Sequence, residues 1–370
     1  MAAPRPNPKR LLAWLEPNQV ELVRAVAASA HAEIVGAGSP AKAQGGAVAS
    51  ALGCPVLDDL RSALTEGEAD GVLICALGDF GRADAASDAP ALLAARARGV
   101  KVGTLEPFPS SAIDLATRGW TDTSTGVAPA SVARPIPLPR HTRPFRDAGE
   151  LIADLGTIRC VGIESLGGPG EGTLAARLAG AIDTILLLMG EPETVDSACV
   201  SPLLGQGVHA LPGEALADLH GDVSALVRFA DGRAASILAS NHASRWNFSC
   251  TVLSERGRLR LYDDGFELLS PAGEKLDEAR HKRTRGGTPA PPHPRTLPGL
   301  VAAAPAYPSP TPHAVAAIAD ALSRLLDGHI PDTGPPDWPG ILSVAQATLL
   351  SARTGQPESP ATFRRMTGTM

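Results

Sequence analysis

The sequence predicts a two-domain α/β protein: an N-terminal doubly wound parallel sheet, then a C-terminal α+β domain with a mostly antiparallel open sheet. In the first third of the chain, short apolar runs alternate with Ala-rich helical segments, a pattern typical of parallel strands joined by right-handed crossover helices. Beyond Asp222, closely spaced alternating strands are separated by Gly-containing turns, which indicates an antiparallel meander. The length of 370 residues exceeds the roughly 100 to 200 residues of one domain.

The elements of the first domain follow one another as strand and helix. The predicted strands are Leu11–Leu15, Ala32–Val35, Gly71–Ala76 and Val100–Thr104. The predicted helices are Val20–Ser29, Lys42–Leu52, Leu60–Leu64 and Ala91–Arg98. A stretch rich in Thr, Ser, Pro and Ala from about Trp120 to Pro139 marks the crossover between domains. We therefore expect domains at residues 1–125 and 126–370.

The second domain combines the meander with terminal helices. Its predicted strands are Asp222–Phe229, Arg233–Ser240, Phe248–Leu253, Gly257–Tyr262 and Phe266–Ser270. Two closing helices are predicted at Ala314–Asp327 and Ile341–Ala352. Between meander and helices, residues 279–312 are dense in Pro and carry a basic cluster, Arg280–Arg285. Such composition resists regular structure, so we expect a long surface loop whose cluster is solvated rather than a phosphate site.

Composition excludes several classes of function. The chain carries 33 basic and 39 acidic residues for a net charge of −6, which gives no support to a nucleic-acid partner. No apolar run approaches the roughly 18 residues of a membrane span, and Leu11–Leu15 is too short for the core of a signal peptide. We therefore expect a cytoplasmic protein without a membrane partner. The five cysteines are scattered and form no Cys-x-x-Cys pair, which favours reduced thiols over disulfides or zinc.

Six segments carry a family resemblance. In chain order they are Ala47–Leu60, Asp70–Ala76, Gly99–Gly103, Arg140–Pro144, Asp183–Val195 and Ser351–Gly355. Their order and spacing resemble those of the Gfo/Idh/MocA family of oxidoreductases, over most of the chain. The resemblance implies a Rossmann-like first domain, an NAD(P) cofactor, a sugar or polyol substrate, and a homo-oligomer formed through the open sheet. It also implies that the cofactor lies beside five residues: Ala76, Leu77, Gly78, Glu106 and Pro107.

The dinucleotide-binding turn of that family is not present at its expected place. The first strand of such a fold is followed by Gly-x-Gly-x-x-Gly, because only glycine lets the backbone approach the pyrophosphate. Here the turn is Glu16-Pro17-Asn18-Gln19, which places a carboxylate toward the phosphates and removes one N–H donor at Pro17. After the second strand, where an acidic residue holds the ribose, the chain has Gly36–Ser39.

A second glycine pattern offers an alternative phosphate site. The segment Gly36–Ala41 reads Gly-x-Gly-x-x-Ala after a strand, and Asp58 lies about 20 residues further on, as dinucleotide binding requires. However, this interpretation leaves Leu11–Ser29 without a role and puts Pro40 and two glycines at the start of a short helix. The other interpretation is an ordinary strand-to-helix turn.

The catalytic residues that the resemblance implies are also replaced. Leu105-Glu106-Pro107 stands at the family's Glu-Lys-Pro motif, so Glu106 occupies the position of the lysine beside the nicotinamide. Counting back from Asp183, the family's histidine falls on Gly180 and its aspartate on Ala176. Glu106 is then either a ligand contact at the end of a strand or a cap for the next helix. Asp183 is either a structural group or a retained acid approached by Arg140 and Arg143.

Three functions remain open from the sequence. The first is a catalytically degenerate protein that acts as a small-molecule binder, regulator or scaffold and needs no cofactor. The second is an active NAD(P)-dependent oxidoreductase with a non-standard site, using Glu106 as general base and Gly36–Ala41 for phosphate. The third is a structural partner that assembles through the open sheet, whose free face carries Val223, Leu226 and Ile237 in some register. No metal site is expected.

Overall fold

The structure of the protein is a computed structural model. It describes the chain as a set of segments separated by short gaps and two longer ones. The described residues are 7–81, 85–117, 119–124, 126–168, 170–200, 216, 219–243, 245–281, 309–329 and 333–367.

The first sheet has five strands, all parallel, in the order β2-β1-β3-β4-β5. The strands are β1 Lys9–Trp14, β2 Ala32–Gly38, β3 Gly71–Ile74, β4 Lys101–Thr104 and β5 Ala133–Pro135. The predicted doubly wound parallel sheet is therefore confirmed. Since all strands run in one direction, their carboxyl ends meet at one edge, where open α/β sheets bind ligands.

Eleven α-helices are described. They are α1 Val20–Ser29, α2 Gly45–Leu52, α3 Leu60–Glu66, α4 Ala85–Ala97, α5 Ala112–Thr117, α6 Arg143–Asp147, α7 Gly149–Ala153, α8 Leu174–Met189, α9 Pro312–Leu326, α10 Trp338–Thr354 and α11 Pro360–Thr367. Helices α3 and α4 cover one face of the first sheet, and α1, α2 and α9 cover the other. Helix α9 thus returns from late in the chain to the first layer, burying Ile318 and Leu322 beside Leu11 and Val23. Because β5 also lies past residue 125, the first layer takes in parts of the chain beyond the expected domain boundary.

The second sheet has eight strands in the order β13-β12-β11-β10-β6-β9-β8-β7. They are β6 Ile158–Leu166, β7 Thr194–Val200, β8 Asp222–Arg228, β9 Ala234–Ser240, β10 Asn247–Ser254, β11 Gly257–Tyr262, β12 Gly265–Leu269 and β13 Lys275–Arg280. Only β6 and β9 pair in parallel, so the sheet is mostly antiparallel, as predicted.

Helices α8 and α10 cover one face of this sheet, and the other face, which we call the open face, carries exposed side chains of the described strands. Val223 and Ile237 point to the helices and are buried, so their expected place on the free face is wrong. Leu226, Leu238 and Leu253 point the other way, with 38%, 44% and 40% of their surface exposed. The register of the β8–β9 hairpin places the odd-numbered positions of both strands on the face that packs against the helices. Val223 and Ile237 therefore lie on the buried face and not on the free one.

Some elements differ from the sequence prediction. Strand β13 includes Ala279 and Arg280, which were expected in the loop of residues 279–312. Most of that loop, together with four residues of the basic cluster, lies outside the described residues. No described helix is long and apolar enough to cross a membrane. Within the described segments no three His, Cys, Asp or Glu side chains are grouped as a metal site requires.

Candidate functional site

A cavity of about 250 Å³ lies at the carboxyl-terminal edge of the first sheet, between the two domains. Its first-domain wall is formed by the ends of β1, β3 and β4. Its second-domain wall is formed by the start of α8 and by the residues flanking β8 and β9. The described lining residues are Glu16, Asn18, Gln19, Cys75, Ala76, Leu77, Glu106, Gly170, Gly172, Thr173, His220, Asn241 and His242.

The turn after β1 is closed by its own hydrogen bonds. The Glu16 N–H donates to Gln19 Oε1 at 2.9 Å, and the Gln19 N–H donates to the Glu16 carbonyl at 3.0 Å. Gln19 is buried and its Nε2 donates to the Cys75 carbonyl at 3.0 Å, which joins the turn to the end of β3. With Pro17 lacking an N–H, two of the donors that a glycine-rich turn offers to a pyrophosphate are engaged and one is missing.

The glycines of the alternative phosphate turn lie inside β2 rather than in a loop. A Cβ on Gly38 would come within 2.4 Å of both the Leu57 carbonyl oxygen and the Trp14 ring. A Cβ on Gly36 would come within 2.9 Å of Leu12. Tight packing against Trp14 and Leu12 therefore accounts for both glycines without a phosphate. The other interpretation was an ordinary strand-to-helix turn, whereas both glycines belong to the strand itself.

Glu106 holds the two domains together at the floor of the cavity. It is buried, and one carboxylate oxygen accepts from the Thr173 N–H at 3.0 Å while the other accepts from the Thr173 hydroxyl. Thr173 is the N-cap of α8, so the carboxylate lies at the positive end of a sixteen-residue helix, where a negative charge is favourable. The helix that Glu106 serves is thus α8 and not the one next along the chain. That next helix, α5, is capped by Ser111.

The other four residues implied to contact the cofactor follow β3 and β4. Ala76 and Leu77 line the cavity, whereas Pro107 is buried outside its described lining. Gly78 has φ +60° and packs on Pro40, since a Cβ there would lie 2.4 Å from the proline ring. The loop that begins at Ala76 is therefore covered by the segment that follows β2.

Asp183 lies away from this cavity. It is fully buried in the middle of α8 and accepts two hydrogen bonds from Arg140, one of them from Nε at 2.7 Å. Burial raises the pKa of the Asp183 carboxyl, and the Arg140 guanidinium opposes that shift. Arg143 is exposed and pairs with Asp147 at 3.5 Å. The structure therefore brings Arg140 and Asp183 together as a buried ion pair and leaves Arg143 on the surface.

Of the two positions on α8 where the resemblance implies catalytic side chains, Gly180 faces a packed environment and Ala176 is half-buried. A Cβ on Gly180 would lie 3.1 Å from Pro139 Cδ, so the helix contacts the domain crossover there. Arg177, beside Ala176, stacks its guanidinium 3.6 Å from the Trp246 ring centre and donates to the Glu171 carbonyl. Burial lowers the pKa of Arg177 to about 10, and the charges of Glu171 and Glu106 oppose that shift. The side chains at the start of α8 therefore make packing contacts and hydrogen bonds with neighbouring segments.

Among the lining residues that were not anticipated from the sequence, His220, Asn241 and His242 form a group. Asn241 Oδ1 accepts from the Gly221 N–H at 2.9 Å, which orients the amide so that Nδ2 faces His220 Nδ1 at 2.7 Å. Since an amide N–H donates, His220 accepts at Nδ1 and carries its proton on Nε2. The ring centre of His242 lies 6.2 Å from that of His220, and its buried Nε2 has no hydrogen-bond partner among the described residues.

A sequence signal for this group exists. Strands β8 and β9 flank the Asp231-Gly232 turn, and Asp222 pairs with Ser240. Residues just before one strand and just after the other therefore lie side by side. The proximity of His220 and Asn241 at one end of the hairpin therefore follows from the register that the sequence predicts.

The cavity wall carries acidic side chains, and the phosphates of a dinucleotide are negatively charged as well. Glu16 and Glu106 are among its lining residues, and within the described lining there is no Lys or Arg. Burial and the Glu106 charge raise the pKa of the Cys75 thiol, which keeps it neutral. A polar, uncharged or cationic group fits these walls better than a phosphate.

Comparisons with known proteins identify the fold. No family model and no curated protein sequence matches the chain. Among solved structures, levoglucosan dehydrogenase in complex with NADH and levoglucosan is 14% identical, with 95% of this chain and 98% of that chain covered and a TM-score of 0.59. The apo scyllo-inositol dehydrogenase from Lactobacillus casei is 15% identical, with 96% and 99% covered and a TM-score of 0.57. The chain has the fold of the Gfo/Idh/MocA-type dehydrogenases.

A third similar structure was also solved with NADH and a second ligand. The WlbA dehydrogenase from Bordetella pertussis, in complex with NADH and UDP-GlcNAcA, is 15% identical, with 95% of this chain and 98% of that chain covered and a TM-score of 0.53. Near-complete coverage of both chains extends the likeness to both domains. At these identities the likeness establishes fold, and function has to be argued from the site.

Proposed function

We propose that this protein is a catalytically degenerate member of the Gfo/Idh/MocA-type fold that binds a small molecule in the cleft, as a regulator or scaffold, without hydride transfer. The observation that carries the proposal is the Glu106–Thr173 contact. Where the resemblance implies a lysine that steers a proton, the chain has a buried carboxylate with both oxygens engaged by the start of α8. A group held this way braces two domains and is not free to exchange protons with a ligand.

The walls of the cleft support the same proposal for the cofactor. The turn Glu16–Gln19 uses its own donors and adds a carboxylate, and it does not fit the pyrophosphate of a dinucleotide. The cavity of about 250 Å³ also falls below the roughly 300–1,000 Å³ of typical drug-sized ligand sites. A ligand smaller than a dinucleotide fits this volume.

The class of ligand follows from the lining. Glu16 accepts hydrogen bonds, His220 presents Nε2–H, and Asn18 has both donors and acceptors. Such a set suits a polyol, a sugar or a small amine. Levoglucosan, L-sorbose and scyllo-inositol are suitable first probes, since similar structures are dehydrogenases named for or crystallised with such compounds.

The direct test is titration of the pure protein with NADH and NADPH, followed by fluorescence and by calorimetry. We expect no saturable binding up to about 1 mM, equivalent to less than about 4 kcal/mol of affinity. Levoglucosan dehydrogenase, whose structure holds NADH, is the positive control under the same conditions. Micromolar binding of either dinucleotide would refute the proposal.

A second candidate function is NAD(P)-dependent oxidation of a sugar or polyol at a non-standard site. The imidazole pair favours it, because His220 and His242 lie at the cavity and histidine is the usual proton carrier near neutral pH. The roles first considered for Glu106 and for Gly36–Ala41 receive no support, since the former is engaged by Thr173 and the latter lies partly in β2. Dinucleotide binding in the titration would select this function.

Compartment and assembly belong to the same proposal. All five cysteines are free thiols in the structure, which suits a reducing, cytoplasmic environment. The open face of the second sheet supports a homo-oligomer of two like copies, because a self-complementary face closes a dimer by two-fold symmetry. The net charge of −6 gives no support to a nucleic-acid partner.

A further inference from the structure

A second cavity, separate from the cleft, lies where the crossover after β5 meets the end of α9. It encloses about 40 Å³, compared with roughly 10–15 Å³ for a single water, so it has room for a small polyatomic ion. We call it the arginine pocket, because most of its polar lining is basic. Its basic lining residues are Arg134, Arg140, His141, Arg146, Arg324 and His329. It shares no described lining residue with the cleft.

Two of the four guanidinium groups have a carboxylate nearby. Arg140 is bound by Asp183, so its charge is compensated. Arg146 lies 3.8 Å from Asp320, a carboxylate with 48% of its side chain exposed, and such an exposed contact contributes little.

The other two guanidinium groups have no carboxylate partner among the described residues. Arg134 donates only to the His329 carbonyl, at 2.7 Å. Arg324 forms no ion pair within the described part of the chain and lies close enough to Arg146 for their charges to repel. Holding like charges together in a partly buried pocket is unfavourable unless an anion balances them.

The positive charges of the arginine pocket also affect the pKa of His141. Its pKa is lowered to about 4 by burial and then by the charges of Arg140, Arg134 and Arg146, opposed by a hydrogen bond with the Gly334 backbone. Its Nε2 is buried with no partner among the described residues. A neutral imidazole with a spare nitrogen therefore faces a group of cations.

We propose that the arginine pocket binds a small oxyanion, either inorganic phosphate or the phosphoryl group of a small phosphorylated metabolite. Arg134 and Arg324 supply planar forks of N–H donors, which suit the oxygen atoms of a phosphate. The pocket opens at His329 and Thr333, both exposed, so the rest of a larger ligand remains outside. A bound anion joins the crossover to the segment that links α9 and α10.

The test is calorimetric titration at constant ionic strength, with inorganic phosphate in one arm and glucose 6-phosphate in the other. We expect saturable binding, weakened at least about tenfold by Arg134→Gln and by Arg324→Gln, as for loss of a charged hydrogen-bond donor. Tighter binding of glucose 6-phosphate identifies a phosphorylated metabolite, and equal or tighter binding of phosphate identifies the free ion. Arg256→Gln is the matched control, since Arg256 is 65% exposed outside the pocket and loses the same charge.

Two results would overturn the proposal. One is the absence of saturable heat with both compounds up to about 10 mM. The other is an equal affinity in Arg134→Gln, Arg324→Gln and Arg256→Gln, which would reduce the effect to net charge. Circular dichroism spectra show whether each variant is folded, and Arg324, on the partly exposed last turn of α9, carries the test if the Arg134 variant does not fold. Since the two cavities share no described lining residue, this outcome is independent of dinucleotide binding in the cleft.

Discussion

At the scale of single residues, Glu106 shows how one replacement changes what a position does. A lysine there would place an ammonium against the amide end of α8, where the helix dipole is positive. The carboxylate instead accepts from the Thr173 N–H and hydroxyl. At the position where the resemblance implies a lysine, the carboxylate of Glu106 therefore makes a contact between domains.

Because of the Glu106–Thr173 contact, we predict that Glu106→Lys destabilises the protein. The variant buries an unpaired cation at the amino-terminal end of α8, where the helix dipole is also positive, so the free energy of unfolding should fall by about 3 kcal/mol. Urea denaturation followed by circular dichroism measures the change. Glu16→Lys makes the same charge reversal at an exposed position of the same cleft and should alter stability by no more than about 0.5 kcal/mol. Equal effects of the two variants on the free energy of unfolding would contradict the role of Glu106 in holding the two domains together.

At the scale of elements, the glycines of β2 illustrate how a sequence motif can arise from packing. Gly36 and Gly38 match a dinucleotide fingerprint in spacing, yet the space above them is filled by Leu12 and Trp14. The sequence alone does not show this packing, because it does not determine which side chain of β1 lies against which residue of β2. The parallel pairing of the two strands, with Trp14 opposite Gly38, supplies the missing information.

We therefore predict opposite effects of two alanine substitutions. Gly38→Ala should lower the free energy of unfolding by about 2 kcal/mol, because the added methyl overlaps both the Leu57 carbonyl and the Trp14 ring. Gly46→Ala, on the exposed side of α2 with no atom within 4 Å of its Cβ, should raise it by roughly 0.5 kcal/mol through helix propensity. Thermal and urea unfolding of both variants measures the difference. A neutral Gly38→Ala would return the phosphate interpretation of this segment to consideration.

Elements also show how far the sequence determines the site. Local periodicity predicts β1, α1 and the β8–β9 hairpin, since apolar spacing within one element is enough for each. The Glu106–Thr173 contact joins positions 67 residues apart, and no local pattern indicates it. Helix α9 has a clear apolar stripe, but a stripe does not state which layer it covers. Its packing on α1 rather than on the second sheet emerges only from the tertiary structure.

At the scale of the whole molecule, the open face of the second sheet has no covering layer among the described residues. It presents Leu226, Leu238 and Leu253 amid small or polar neighbours such as Ser224 and Ser236. Isolated exposed leucines are common on monomers. Three on one face, two of them on the paired strands β8 and β9 and the third on β10 beyond β6, suit association with a like face of a second copy.

The proposed homo-oligomer predicts a dimer of the 38.0 kDa chain, measured by light scattering coupled to size-exclusion chromatography. Leu238→Glu should convert it to a monomer, because the new carboxylate would lie beside Glu164 on β6 and opposite an apolar surface of the partner. Met366→Glu is the control: Met366 is 70% exposed on α11, so the same kind of charge added there should leave the dimer intact. A wild-type chain that elutes as a strict monomer at micromolar concentration would exclude the assembly, because stable interfaces of this kind bury about 800 Å² on each partner and persist at that dilution.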